Sequence, residues 1–247
     1  MNNIVFMIDI KKDGKTKKEY QYSIDSWSHF CNKYGHKLIT MEEPIVDTEY
    51  MGVIWQRYYL FDMLDHNKID YNQILIVDAD TIIHPNSPDI FTLTEDKYCL
   101  VHDDGDFDWI IRSIENYKEN LFQDEPLVNW YEYFNSGFQI VNKKHREFFN
   151  TMKQYYIDNS EQIKWCQKTY GVGTDQTPLN YLLKRENIET KELPYRFNMS
   201  CMAAKEIVGP EMVHTKMGYV MHFNGLPDKD QSVPYWMEKT YKYLYND

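Results

Sequence analysis

The chain has 247 residues, enough to bury a sizeable core, and its hydrophobic content of 43% is that of an ordinary globular protein. Its 27 basic and 38 acidic side chains give a formal charge of −11, which argues against binding nucleic acid or an anionic membrane surface by bulk electrostatics. No stretch approaches the roughly 20 apolar residues of a transmembrane helix and no cleavage signature follows the short apolar run at residues 4–7, so a cytoplasmic location is expected.

The four cysteines, Cys31, Cys99, Cys166 and Cys201, are scattered without metal-ligand spacing, so neither a zinc site nor a disulfide framework is expected. Aromatic residues reach 16%, with 21 Tyr and 6 Trp. Such side chains give flat faces with a polar handle, suited to stacking on sugars and bases. A coding bias is the simpler source, since Ala occurs only at Ala79, Ala203 and Ala204.

Residues 3–10 read as a first strand, and Ile10 closes it. A basic loop, 11–18, leads to a stretch at 20–34 whose apolar residues recur at helical spacing. Residues 36–41 read as a second strand, so the chain opens in a β-α-β layout. After an irregular segment, 51–65 reads as a helix with Arg57 interrupting its apolar side. Arg57 is either a surface arginine or a cation for a diphosphate group.

The central motif is Gln73 to Ile83. Ile74 to Val77 are continuously apolar and mostly β-branched, the pattern of a strand buried on both faces. The strand delivers Asp78 and Asp80, separated only by Ala79. If the chain stays extended, both carboxylates point to one side and can share a hard cation. Asp after a strand is also an ordinary turn former or helix cap, so the pair alone does not decide.

A turn cluster at 84–88 and a short strand at 98–102 follow. The acidic run 103–108 lacks the spacing and closing Glu of an EF-hand and reads as a solvated loop capping the next helix. Asp103, at the strand end, keeps a claim as a substrate contact. Residues 133–142 read as another buried strand, with Asn135 able to donate and accept hydrogen bonds and Gly137 allowing close approach. Residues 143–157 read as a helix.

Asp175 and Gln176 stand at the start of a further helical stretch, with Thr174 as its expected cap. Asp175 is then either a helix-terminal charge or a carboxylate beside a reacting sugar. Residues 190–198 and 206–213 are ambiguous. Near the end, His222 is followed by Phe223, Asn224 and Gly225. An imidazole there completes an oxygen and nitrogen ligand set that suits Mn²⁺. A last aromatic-rich helix is expected to begin at Pro234. With no repeat and no linker, residues 1–247 read as one domain.

In this order, Asp78-Ala79-Asp80-Thr81, Phe134-Asn135-Ser136-Gly137, Asp175-Gln176 and His222-Phe223-Asn224-Gly225 resemble the motifs of a GT-A-type nucleotide-sugar glycosyltransferase. The set is most similar to glycosyltransferase family eight, the retaining group that includes glycogenin and bacterial galactosyltransferases. The resemblance implies an α/β fold with a mixed, mostly parallel central sheet flanked by helices, Rossmann-like in layout. It implies a nucleotide-binding half at about 1–105 and an acceptor-binding half at about 106–247.

It further implies that Asp78, Asp80 and His222 hold Mn²⁺ or Mg²⁺, and that Asp78 also touches the ribose. Arg57, Ile10, Gly225 and Lys229 would contact the sugar nucleotide, a UDP-hexose being favoured. Asn135, Asp175 and Gln176 would line the reacting sugars. The family often places Lys-Pro-Trp closely after the His motif; here Lys229, Pro234 and Trp236 are spread apart. The acceptor would be a glycan, or a lipid-linked or protein-linked sugar.

Alternatives on the same fold are an inverting enzyme with Asp175 as base and a catalytically inactive carbohydrate-binding protein. A nucleotidyltransferase would need a Gly-rich phosphate loop after the first strand, where only Gly14 stands.

Overall fold

The computed structural model describes residues 3–11, 14–202 and 207–245. Lys12 and Asp13 of the basic loop, and 203–206, the last of which opens the second ambiguous segment, lie outside them.

A six-stranded sheet forms the centre, in the order β2-β1-β3-β6-β5-β7. Its strands are β1 (Ile4–Ile8), β2 (Lys37–Met41), β3 (Gln73–Val77), β5 (Tyr98–His102), β6 (Phe134–Asn142) and β7 (Thr190–Leu193). β1 pairs in parallel with β2 and with β3, and β5 with β7. β6 runs antiparallel between β3 and β5. The sheet is therefore mixed and mostly parallel, as expected. The first ambiguous segment resolves into β7 and a 3-10 turn, Tyr195–Phe197.

Both faces of the sheet are covered. Ile4, Phe6, Ile74 and Ile76 enter one apolar cluster, and Val5, Met7, Leu75 and Val77 enter another. The alternation follows from the two-residue period of a strand, and it explains why these segments are apolar without a break. Each such side chain, sealed from water, contributes about 1.5–3 kcal/mol relative to exposure. Helix α1 (Lys18–Tyr34) closes the second face with Trp27 and Phe30. Helices α2 (Leu60–His66), α3 (Phe107–Leu121), α4 (Arg146–Tyr170) and α5 (Gln176–Arg185) close the first.

Several boundaries differ from the sequence reading. The expected helix at 51–65 is a 3-10 stretch, Val53–Tyr59, running into α2. α4 continues to Tyr170, well past residue 157. The last helix, α7 (Lys229–Tyr245), follows a short α6 (Val213–Met217), begins at Lys229 and carries Pro234 inside it. Pro234 is the sixth residue of this helix, beyond the first turn whose N–H groups lack intrahelical partners, so it costs one helical hydrogen bond and does not mark the helix start.

The largest difference concerns the central motif. β3 stops at Val77, the chain turns through Ala79 and Asp80, and β4 (Thr81–Ile83) leaves the main sheet. β4 pairs antiparallel with β8 (Val220–His222), Thr81 standing opposite His222. The two carboxylates therefore project from a turn, not from an extended strand. Thr81 Oγ1 donates to the Asp78 carbonyl at 2.8 Å and accepts from Trp27 Nε1 at 2.9 Å, pinning the turn to α1.

Candidate active site

Three strand ends converge at the carboxyl edge of the sheet. β3 supplies Asp78 and, through the turn, Asp80. The β4–β8 ladder brings His222 across from a distant part of the chain. His222 Nε2 lies 3.1 Å from Asp80 Oδ1 and 3.6 Å from Asp78 Oδ2. Ligand atoms of all three residues fall within 4.8 Å of one another.

The orientation of His222 is set by a partner that sequence reading missed. Asn198 Nδ2 donates to Asn135 Oδ1 at 3.0 Å, so its carbonyl oxygen faces His222 Nδ1 at 3.1 Å. Nδ1 must then carry hydrogen, and neutral His222 presents the Nε2 lone pair to the two carboxylates. Burial disfavours the His222 imidazolium, but Asp80 and then Asp78 outweigh burial and raise its pKa. Burial also works against ionised Asp80, yet the His222 charge holds its pKa below the ordinary value. Two carboxylates around one imidazole nitrogen form an acidic oxygen and nitrogen set that fits a divalent cation replacing the proton.

From this cluster a ring of hydrogen bonds and ion pairs runs through the site. Asn135 Oδ1 accepts from the Gly137 amide at 2.9 Å, and Asn135 Nδ2 donates to Asp103 Oδ2 at 3.1 Å. Gln176 Nε2 donates to the same Asp103 oxygen at 2.6 Å, while Gln176 Oε1 accepts from the Ser136 amide at 3.1 Å. Ser136 Oγ donates to Asp175 Oδ1 at 3.1 Å. Asp175 Oδ2 lies 3.5 Å from Arg57 Nε, and Arg57 Nη2 donates to Asp78 Oδ1 at 2.8 Å. The ring closes on His222.

Every member belongs to a motif singled out in the sequence except Asn198, which ends the ambiguous segment 190–198 just past its 3-10 turn. Asp103 is buried here and held by two amides, so the acidic run is not a fully solvated loop; its helix-capping part stands, with Asp106 accepting from the Asp108 amide at 2.9 Å.

Arg57 is sealed in the protein and not on its surface. Besides the two carboxylates, it donates to the carbonyls of Ile54 and Ser136. Burial disfavours its charge, but Asp78 and Asp175 hold the guanidinium firmly ionised. Asp175 occupies the helix N-cap position in place of Thr174, yet its side chain makes no capping bond. It is spent instead on Ser136, Tyr58 and Arg57. Burial raises its pKa, Arg57 opposing this in part.

Two cavities border the ring. A smaller one, about 330 Å³, is lined by Ile8, Ile10, Lys17, Tyr20, Arg57, Asp78 and Asp80, among others. Beside it, at the end of β1, Asp9 is 1% exposed and accepts from Thr16 Oγ1 at 2.8 Å. Its Oδ1 has no hydrogen-bond partner among the described residues. Sequence reading passed over Asp9, although a carboxylate leaving the carboxyl end of a strand is the same signal that marked Asp78.

The larger cavity, about 610 Å³, has Asp103, Asn135 and Gln176 on its floor and Gly225 and Lys229 on a wall. Gly225 takes a left-handed backbone, φ +68°, where the chain turns after β8. Lys229, at the start of α7, is near enough for its charge to favour ionised Asp80.

Gly137 is required by space. A Cβ there would lie 2.5 Å from Asp78 Oδ2 and 2.5 Å from His222 Cε1. The Gly137 carbonyl also accepts from the Asp78 amide at 3.1 Å. The absent side chain is what lets β6 press against the Asp-Asp-His cluster.

A mixed, mostly parallel sheet with an Asp-x-Asp turn at its carboxyl edge is the framework of GT-A glycosyltransferases. The match to a family model described as glycosyl transferase family 8 runs over residues 9–229, and the chain belongs to that family. A search of curated proteins finds no match.

Solved structures share the fold at low identity. One is a glycosyltransferase involved in glycosylation of the major capsid of PBCV-1, at 14% identity and TM-score 0.64, covering 97% of this chain and 100% of that one. Another is the apo form of the glycosyltransferase GlyE of Streptococcus pneumoniae TIGR4, at 13% identity and TM-score 0.54, covering 100% of this chain and 62% of that one. A third is mouse xyloside xylosyltransferase 1, also apo, at 12% identity and TM-score 0.50, covering 91% and 98%. Among the described residues, no helix is long and apolar enough to cross a membrane.

Proposed function

We propose that this glycosyltransferase is metal-dependent and moves a hexose from a nucleoside diphosphate donor, UDP favoured, to a hydroxyl of a glycan or of a lipid-linked or protein-linked sugar. The observation that carries the reading is the meeting of Asp78, Asp80 and His222, with His222 Nε2 turned inward by Asn198. These three residues would hold Mn²⁺ or Mg²⁺. When bound, a divalent cation there supplies Lewis-acid stabilisation of charge on the leaving diphosphate.

The two cavities support a division of labour. The smaller, built from residues 8–80, is assigned to the nucleotide, with Ile8 and Ile10 as apolar wall and Lys17 as a cation beside the phosphates. The larger, built from residues 103–229, is assigned to the reacting sugars. Asp103, Asn135 and Gln176 offer acceptors and donors in fixed orientation, which suits the hydroxyls of a pyranose. Lys229 on its wall is placed to meet negative charge as the sugar–phosphate bond breaks.

Retention is favoured over inversion by the state of Asp175. A general base must reach the acceptor proton. Both Asp175 oxygens are engaged inside the protein and the residue is 1% exposed. Asp175 is therefore read as the residue that positions Arg57 and Ser136. With Asp175 engaged in this way, the departing phosphate oxygen is assigned the acceptor proton.

Thermal-shift measurements with nucleoside diphosphates, with and without Mn²⁺, test the reading. A ligand at about 100 times its Kd stabilises by roughly 2.7 kcal/mol. The expected result is a shift with a uridine nucleotide that requires the metal. Equal shifts with and without Mn²⁺, or none with any base, would remove the metal-diphosphate site.

A further inference from the structure

Beside the larger cavity, three aromatic side chains lie on the surface in mutual contact. Phe107, Trp130 and Tyr131 are 57%, 47% and 56% exposed. The Phe107 and Trp130 rings are 5.6 Å apart at 81°, and those of Trp130 and Tyr131 are 5.8 Å apart at 85°. Large aromatics left in water as a contiguous group mark a binding surface more often than single exposed ones do.

The group is built, not a frayed loop. Trp130 and Tyr131 sit on a short 3-10 turn, Trp130–Glu132, and the Trp130 carbonyl is 3.0 Å from His102 Nε2. The His102 ring packs against Trp130 at 6.3 Å. Phe107 is the first residue of α3, fixed by the capping bonds of Asp106.

Its position ties it to the site. His102 directly precedes Asp103, and Phe107 directly follows Asp106; both acids line the larger cavity. The aromatic ridge is therefore carried by the immediate chain neighbours of two acids that line the pocket assigned to the reacting sugars.

We infer that this ridge is an acceptor platform, and that the acceptor is a neutral oligosaccharide whose sugar units beyond the reacting one stack on Phe107, Trp130 and Tyr131. The inference rests on the transferase reading of the cavity. The apolar C–H face of a pyranose matches an aromatic face, and its hydroxyls need polar neighbours at the edge. Asp106, Asp108, Asn129 and Glu132 stand beside the ridge in the chain and supply them. The same acids, in a chain of charge −11, disfavour an anionic polymer or nucleic acid. A monosaccharide acceptor would fill the pocket and leave the ridge unused.

The test measures sugar binding directly, without donor, by tryptophan fluorescence and calorimetry. The probes are malto-, cello- and N-acetylchito-oligosaccharides of one to six units. At least one series is expected to bind more tightly with length, one well-placed aromatic contact being worth up to about tenfold in affinity. Trp130→Ala is expected to abolish the length dependence, and Trp130→Phe to restore most of it. Circular dichroism of both variants confirms the fold.

No gain with length in any series, or a gain that Trp130→Ala leaves intact, overturns the platform. So does a wild-type dimer in sedimentation that Trp130→Ala dissociates, since a second copy then covers the ridge. The metal-dependent nucleotide shift is read separately on the wild-type protein. Its failure removes the metal-diphosphate site and the cavity assignment that rests on it, whereas failure of the sugar series alone removes only the platform.

Discussion

Arg57 and Asp175 form an ion pair inside the protein, Nε to Oδ2 at 3.5 Å, with side-chain exposures of only 3% and 1%. The same guanidinium holds Asp78 at 2.8 Å, so one cation connects the Asp-Asp-His cluster to the start of α5. Removing one partner of a buried pair leaves an uncompensated charge and typically costs about 3–5 kcal/mol. Arg57→Met is expected to destabilise the fold by about that amount in urea denaturation. Adding Asp175→Asn should recover part of the loss, because the stranded carboxylate is then gone. Simple additivity of the two substitutions would show that the pair is not coupled. Arg57→Lys should not rescue, since an ammonium cannot reach both carboxylates and the Ser136 carbonyl at once.

Asp80→Asn separates binding from folding. Asp80 is half-buried and makes its close contact with His222, and an amide of the same shape fills its place, so the substitution should leave the protein folded with only a modest change in melting. The metal-dependent shift with nucleoside diphosphate should disappear. A variant that keeps normal Mn²⁺ dependence would place the cation elsewhere.

Gly137→Ala tests the packing behind the same cluster. The new methyl would have to displace Asp78 or His222, both contacts being 2.5 Å. The expected outcome is a folded protein whose Mn²⁺ affinity, read by electron paramagnetic resonance, falls by at least about tenfold, or roughly 1.4 kcal/mol. Unaltered affinity would mean that the Asp78 and His222 side chains are not both ligands.

Acid should weaken the fold through two histidines remote from the cluster. Burial lowers the pKa of His145 and of His214 to about 4 in the folded protein. His145 Nδ1 accepts from the Asn142 amide at 3.0 Å, and His214 Nε2 lies 2.8 Å from Thr240 Oγ1. Both are neutral when folded, whereas the unfolded chain protonates them near the ordinary value of about 6.5.

The unfolded state thus binds more protons between about 6.5 and 4. Stability is complete above 6.5 and falls as the pH drops through that window, by up to roughly 1.4 kcal/mol per histidine per pH unit. His222, with its raised pKa, acts in the opposite sense and at higher pH. Urea midpoints from pH 7 to pH 4.5 read the slope. His145→Gln should flatten it, and an unchanged slope would assign the acid sensitivity to other groups.

The strands were legible because their chemistry is local. Ile74 to Val77 read as a doubly buried strand, and β1 and β3 divide their side chains between two apolar clusters. The turn between β3 and β4 was not legible. Asp78-Ala79-Asp80 is compatible with extended chain, and what bends it is pairing of Thr81 with His222, far along the sequence. The 3-10 character of Val53–Tyr59 was hidden for a related reason, since helical spacing of apolar residues fits either helix.

By itself the sequence determined the parallel-sheet layout, the ordered motifs and the net negative charge, because strand periodicity, side-chain type and charge are properties of short segments. Only the tertiary structure decided what each polar residue is used for. It turned Arg57 inward, occupied Asp175 with Ser136, Tyr58 and Arg57 instead of a helix cap, drew Asp103 out of its acidic run, and recruited Asn198 to orient His222. A polar side chain takes its role from the partners that reach it when water is excluded, and those partners come from segments that are distant in sequence.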